Sequence, residues 1–187
     1  TAADVSEYFR LLVDATPVVC ISDFTKNDLI EVLGRNPQAV TMIAHPGGDH
    51  ELAGHEPDGP HGLPQDSSIQ GPMFLRVGTF EARKSPVEIA RAFQSINRSG
   101  IHTRLVMVGR PSASDDAIND AVAHIVDQDV GVTWIQEAGD AQIHALMQQA
   151  DAFLSFGTEG YGIPVLESLA VGTPVLFGGI QPAAELM

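Results

Sequence analysis

Two carboxylates, Glu159 and Glu167, stand with seven residues between them, and the turn Gly160-Tyr161-Gly162 follows the first. Ile163 and Pro164 come next, the latter a residue whose fixed φ and missing N–H suit the first turn of a helix. Glu159 then lies on the turn and Glu167 about one turn into the helix, so both can face one cleft. The start of such a helix offers unpaired N–H groups and the positive end of its dipole to an anion. Ionised carboxylates only accept hydrogen bonds, so beside an anion site they suit a ligand with hydroxyls as well as phosphate. The plainer alternative is a loop Glu159 and a surface Glu167.

Cations for such an anion are scarce. The 187 residues hold 10 Lys and Arg against 24 Asp and Glu, a net charge of −14. That field argues against nucleic acid as a partner, because phosphate backbones need a basic one. After Arg110 there is no Lys or Arg, while eleven acids follow, from Asp115 to Glu185. An anion held by the second half must therefore use backbone N–H groups, helix ends or the basic residues between Arg76 and Arg110, of which Arg83 and Lys84 follow a strand. Cys20 is the single cysteine, so neither an internal disulfide nor a thiolate zinc cluster can form.

The elements that must position these groups alternate. Phe74–Gly78 (FLRVG), Leu105–Gly109 (LVMVG), Val132–Ile135 (VTWI), Ala152–Phe156 (AFLSF) and Val175–Phe177 read as strands. Helices are expected between them: one opened by Ser85, Pro86 and Glu88 as a capping box with Ile89, Phe93 and Ile96 inside, one on Ile118, Val122 and Ile125, one capped by Asp140, and one begun by Pro164. Near-continuous apolar strands alternating with helices imply a parallel sheet covered on both faces, a Rossmann-like α/β architecture. With 44% hydrophobic and 18% charged residues the chain is globular. No apolar run approaches the ~20 residues of a membrane span.

Upstream, Val5, Tyr8, Phe9 and Leu12 recur at helical spacing, Pro17–Ser22 and Ala39–Ile43 suit strands, and Phe24, Leu29, Val32 and Leu33 lie on a helix closed by Gly34. Residues 1–47 are too few for an independent core. From 48 to 72 the chain turns rich in Gly and Pro and reads as an exposed linker to a domain spanning 73–187. His45, His50, His55 and His61 stand in or beside it among acids, but their spacing fits no rigid metal-ligand pattern, and no metal site is expected.

Ligands of open parallel sheets bind beyond the carboxyl ends of the strands. There is no GxxxxGK[ST] and no GxGxxG after a strand, which excludes a P-loop and the dinucleotide fingerprint. Glu159–Leu176, EGYGIPVLESLAVGTPVL, instead resembles the E-x7-E signature of the retaining glycosyltransferases of family 4, enzymes of the GT-B fold. Phe74–Phe93, FLRVGTFEARKSPVEIARAF, is similar to the first strand, phosphate loop and helix of their nucleotide-sugar domain. LVMVGR and ADAFLSFGTEG occupy matching places, and Pro17–Ile30 more weakly resembles the end of the family's N-terminal domain.

The resemblance implies the C-terminal half of a GT-B fold with a remnant of the acceptor-side domain. By it, Lys84 contacts the donor diphosphate and Glu159 lies close to the donor sugar. Gly78, Gly160, Tyr161, Gly162 and Ile163 line the donor with backbone, Glu167 holds the ribose hydroxyls, and Trp134 and Ile135 line the base. The family's phosphate-binding arginine lies several residues before the lysine, whereas Arg83 here adjoins Lys84. The activity implied is transfer of a hexose of mannose or glucose type from a GDP- or UDP-linked donor to a saccharide or lipid-linked hydroxyl. That is the chemistry of cell-surface polysaccharide synthesis, at the cytoplasmic face of the membrane with peripheral association of the full-length protein. No cofactor or metal is required where these groups neutralise the diphosphate. A nucleotide-binding module without catalysis and a nucleotide-sugar epimerase on a similar scaffold are alternatives, distinguished by their products. With so little of the acceptor wall, this chain alone is expected to bind donor weakly and transfer nothing.

Overall fold

A computed structural model describes residues 15, 17–33, 40–47 and 70–187. The expected first helix, the Gly34 cap, His50, His55, His61 and nearly all of the expected linker lie outside the described residues. The chain divides into two compact units, Thr1–Gly47 with Pro182–Met187, and Gly48–Gln181.

The first unit contains β1 (Val18–Cys20), α1 (Asp23–Leu33) and β2 (Val40–Ile43), with the two strands parallel. Val18 and Cys20 are buried against Leu29 and Ile30. Burial raises the Cys20 thiol above its ordinary pKa, with Lys26 acting against it, so the thiol stays protonated at neutral pH. The start of α1 is fully served. Ser22 Oγ accepts the Thr25 N–H at 3.0 Å, and the Glu185 carboxylate accepts the N–H groups of Asp23 and Phe24 at 2.8 and 2.9 Å. Glu185 comes from a short 3-10 helix, Pro182–Leu186. An anion across the first N–H groups satisfies donors and meets the dipole together. Glu185→Ala is expected to remove about 1 kcal/mol of local stability, read as faster hydrogen exchange at Asp23 and Phe24.

The second unit is a five-stranded parallel sheet in the order β5-β4-β3-β6-β7. Its strands are β3 (Met73–Val77), β4 (Arg104–Val108), β5 (Val132–Ile135), β6 (Ala152–Thr158) and β7 (Val175–Ile180). Between them run α2 (Pro86–Arg98), α3 (Asp116–Gln128), α4 (Asp140–Gln149) and α5 (Ile163–Ala170). Ile89 and Phe93 of α2 and Ile118, Val122 and Ile125 of α3 pack on Leu105, Met107 and Val132, as their helical spacing predicts. The expected parallel α/β sheet is the one observed.

Three local expectations are corrected. Ser85 does not close a capping box: its φ and ψ are 51° and 42°, and its side chain makes no cap bond. The chain enters α2 from a 3-10 turn, Ala82–Lys84, which has already taken the Ser85 N–H onto the Ala82 carbonyl at 3.0 Å. Ser85 joins two helical turns from a left-handed conformation that costs a non-glycine residue about 1–2 kcal/mol. Asp140 is the first residue of α4 and Gly139 its cap. Finally, β7 does not stop at Phe177. Its ladder continues through Gly157↔Gly179 to Thr158↔Ile180, because Gly178 leaves room for the Phe156 ring where any Cβ would overlap it.

Candidate functional site

The strand order reverses direction between β3 and β6: β4 and β5 follow β3 to one side, and β7 follows β6 to the other. A crevice at such a switch point is where ligands of open α/β sheets bind. The loops leaving β3 and β6 at this point carry Lys84 and Glu159.

Lys84 Nζ lies 3.2 Å from Glu159 Oε2, with the two side chains 14% and 18% exposed. Arg83 Nη1 stands 3.5 Å from the same oxygen, donates to the Thr158 carbonyl at 2.6 Å, and pairs through Nε with Glu81 at 2.7 Å. Lys84 also closes over Gly78, where an added Cβ would stand 3.3 Å from Nζ. The cluster depends on Gly157. Its φ is +87°, and a Cβ there would overlap the Arg83 carbonyl oxygen. Only glycine lets the 82–84 turn lie this close on β6, bringing two cations onto the carboxylate.

Past Glu159 the chain turns through Gly160, Tyr161 and Gly162 into α5. Gly162 caps that helix at φ 105° without a side-chain bond, and Ile163 is its first residue. Tyr161 is buried. Glu167 is half-buried, four residues further along α5. One cation pair, one carboxylate and a helix start are thus gathered at the carboxyl ends of β3 and β6.

Beside them a cavity of about 650 Å³ opens over the ends of β3, β4 and β5, walled by Gly78, Thr79, Gly109, Arg110 and the segment Gln136–Gly139. Its size suits a drug-sized or nucleotide-sized ligand. Trp134 and Ile135 are not in its wall. The Trp134 ring is stacked on Phe80, centroids 4.5 Å apart, and its indole N–H donates to the Gly109 carbonyl at 2.9 Å. Ile135 instead receives the Gly109 N–H on its carbonyl at 2.9 Å. The sequence reading missed Ala138 and Gly139 as part of that wall and Phe80 as the wholly buried anchor of the β3 loop. An aromatic in the middle of a polar loop was the available signal for the latter. Among the described residues no three His, Cys, Asp or Glu are grouped to hold a metal, and no helix is long and apolar enough to cross a membrane.

The chain is similar to known proteins in sequence and in fold. The serotype-specific mannosyltransferase WbdA of Escherichia coli is 29% identical over 117 residues, which are 62% of this chain and 14% of that protein. The D-inositol 3-phosphate glycosyltransferase of Mycobacterium leprae is 26% identical, over 92% of this chain and 41% of its own length. The chain therefore spans less than half the length of these relatives. Among solved structures, WaaG, a glycosyltransferase involved in lipopolysaccharide biosynthesis, superposes with a TM-score of 0.67 at 22% identity, covering 90% of this chain and 45% of WaaG. Anabaena HepE in complex with UDP and glucose gives 0.73 at 15% identity, covering 96% and 50%. At these identities the likeness is one of fold, that of the GT-B glycosyltransferases. Residues 64–187 match the sequence profile of the glycosyl transferases group 1, and the chain belongs to that family.

Proposed function

We propose that the crevice between β3 and β6 binds a nucleoside-diphosphate sugar, and that the whole protein is a retaining glycosyltransferase. The observation that carries this reading is the convergence of Lys84, Arg83 and Glu159 beside the uncapped start of α5, next to a cavity of nucleotide size. The reaction breaks the bond between the anomeric carbon and the diphosphate oxygen. It forms a bond from that carbon to an acceptor oxygen, on the same face, and passes the acceptor proton to the departing phosphate. Negative charge grows on the diphosphate as the bond breaks. Lys84 and the positive end of the α5 dipole meet that charge, and a well-placed donor such as Lys84 contributes about 3–4 kcal/mol. In this reading Glu159 orients the sugar, Glu167 grips the ribose hydroxyls, and Gly160, Tyr161 and Ile163 line the donor with backbone.

The hexose is of mannose or glucose type, and the acceptor is a saccharide or lipid-linked hydroxyl at the cytoplasmic face of the membrane. Similarity to WbdA and WaaG, whose names concern mannosyl transfer and lipopolysaccharide synthesis, supports these choices. HepE, with UDP and glucose in its crystal, supports a nucleotide-linked donor, GDP or UDP. In domain terms, 1–47 belongs to the acceptor side and 73–187 to the donor side, joined by 48–72.

Calorimetric titration with UDP, GDP and their hexose conjugates tests the reading. Glu167→Gln is expected to cost more affinity for the ribonucleotide that binds than for its 2′-deoxy analogue. Equal losses for both would remove the ribose assignment, and no binding of any nucleotide would remove the donor site.

A further inference from the structure

Arg76 is a charged residue next to the carboxyl end of β3 and is 3% exposed. Burying a guanidinium is costly unless it is paired. Among the described residues Arg76 makes no ion pair. Its contacts are the carbonyl oxygens of Gly78 at 2.6 Å and Thr79 at 3.2 Å, and the Phe80 ring with its centroid 5.0 Å away. Burial pushes its pKa down to about 10, against the more distant charges of Glu159 and Glu81, so at neutral pH it remains a cation. It also lines a small void of about 10 Å³ together with Glu159, Gly162 and Pro164. A full positive charge therefore sits under the β3 loop and against the start of α5, with no carboxylate of the described residues in contact to neutralise it.

We infer that Arg76 is a positioning residue for the donor diphosphate, holding the β3 loop with its carbonyls turned inward and supplying buried positive charge beneath the phosphates. The inference rests on the proposed donor site. Gly78 and Thr79 form part of the cavity wall, and carbonyl oxygens facing that cavity would repel a phosphate. Both are instead bound to the guanidinium fork. In a trans peptide the N–H points opposite to the C=O, so the N–H of Thr79, a residue of the cavity wall, is turned away from Arg76. The next N–H, that of Phe80, is already taken by the Arg110 carbonyl at 3.0 Å. A flat fork with two donors suits a pair of successive carbonyls, and a lysine ammonium supplies the charge without that geometry.

The test uses the full chain, with inorganic pyrophosphate, UDP and GDP as probes and uridine and guanosine as controls, by calorimetry. Arg76→Gln is expected to weaken pyrophosphate and the nucleoside diphosphate that binds by tenfold or more, while the nucleoside changes less than twofold. Arg76→Lys is expected to regain part of that loss, which a merely structural role would not produce. Far-UV circular dichroism and a cooperative melt establish that each variant is folded. If Arg76→Gln does not fold, Arg76→Lys decides, with a several-fold loss for pyrophosphate expected. Unchanged pyrophosphate binding by a folded Arg76 variant, while Lys84→Ala weakens it, overturns this inference and leaves the donor site standing. Failure of both Arg76 variants to fold makes the residue structural and likewise overturns it. If neither Lys84→Ala nor Arg76→Gln affects pyrophosphate, or the unaltered chain binds none, the donor site itself falls and the inference with it.

Discussion

Lys84→Ala is expected to lower affinity for UDP or GDP well over tenfold while leaving uridine or guanosine nearly unchanged. Hydrogen bonds to a charged group contribute about 1.5–3 kcal/mol, which is roughly 10- to 150-fold in a dissociation constant. The loss should fall toward the upper part of that range. Lys84 Nζ is 3.2 Å from Glu159. Without it, Glu159 keeps only the longer contact with Arg83, and Arg83 is itself committed to Glu81 and the Thr158 carbonyl. A less compensated carboxylate then faces the incoming phosphates, adding repulsion to the lost attraction. No other Lys or Arg follows Arg110 to take over. Calorimetry at two salt concentrations checks this, since the part due to charge shrinks as salt screens it. Equal losses for nucleoside and nucleoside diphosphate would show that Lys84 acts on the fold and not on phosphate.

The second large effect is expected at Gly157. Gly157→Ala should destabilise the chain by about 2–5 kcal/mol, combining left-handed strain of about 1–2 kcal/mol with overpacking of about 1–3 kcal/mol. For a chain of this size that lowers the melting temperature by roughly 10 °C. The new methyl overlaps the Arg83 carbonyl oxygen and lies 2.8 Å from the Lys84 Cα. Neither side yields easily: Gly157 is held in the ladder opposite Gly179, and Arg83 sits in a 3-10 turn closed by the Lys84 N–H on the Glu81 carbonyl at 2.9 Å. Diphosphate affinity should fall with stability, because relief of the overlap moves Lys84 away from Glu159. Gly160→Ala is the control. Nothing lies within 4 Å of a Cβ at that position, so its melting temperature should stay near that of the unaltered chain. Equal melting temperatures for the two variants would show that the 82–84 turn does not lean on β6.

Much of the fold was legible because it is written in neighbouring residues. The apolar runs Phe74–Gly78 and Leu105–Gly109 are buried on both faces, and the spacing of Ile118, Val122 and Ile125 can only be one side of a helix. The residues of the candidate site were legible for the same reason: Glu159, the glycine turn and Pro164 are contiguous, and Lys84 follows a strand end. What failed locally failed where a neighbouring element took over. Ser85 had the right residue types around it for a capping box, yet the 3-10 turn before it had already used its N–H. The strand from Val175 was expected to end at Phe177, yet pairing with β6 carries it on through Gly178 and Gly179.

By itself the sequence determined the alternation of strands and helices, the family motif, and which side chains could meet an anion, since these follow from side-chain types a few residues apart. Only the tertiary structure decided that β6 lies beside β3, which joins Lys84 to Glu159 across 75 residues of chain. It also turned Trp134 onto Phe80 and Arg76 beneath the β3 loop. Strand order depends on pairing between distant segments whose apolar faces are chemically alike. The side a strand residue turns to, and what it meets there, depends on which strand and loop arrive next to it.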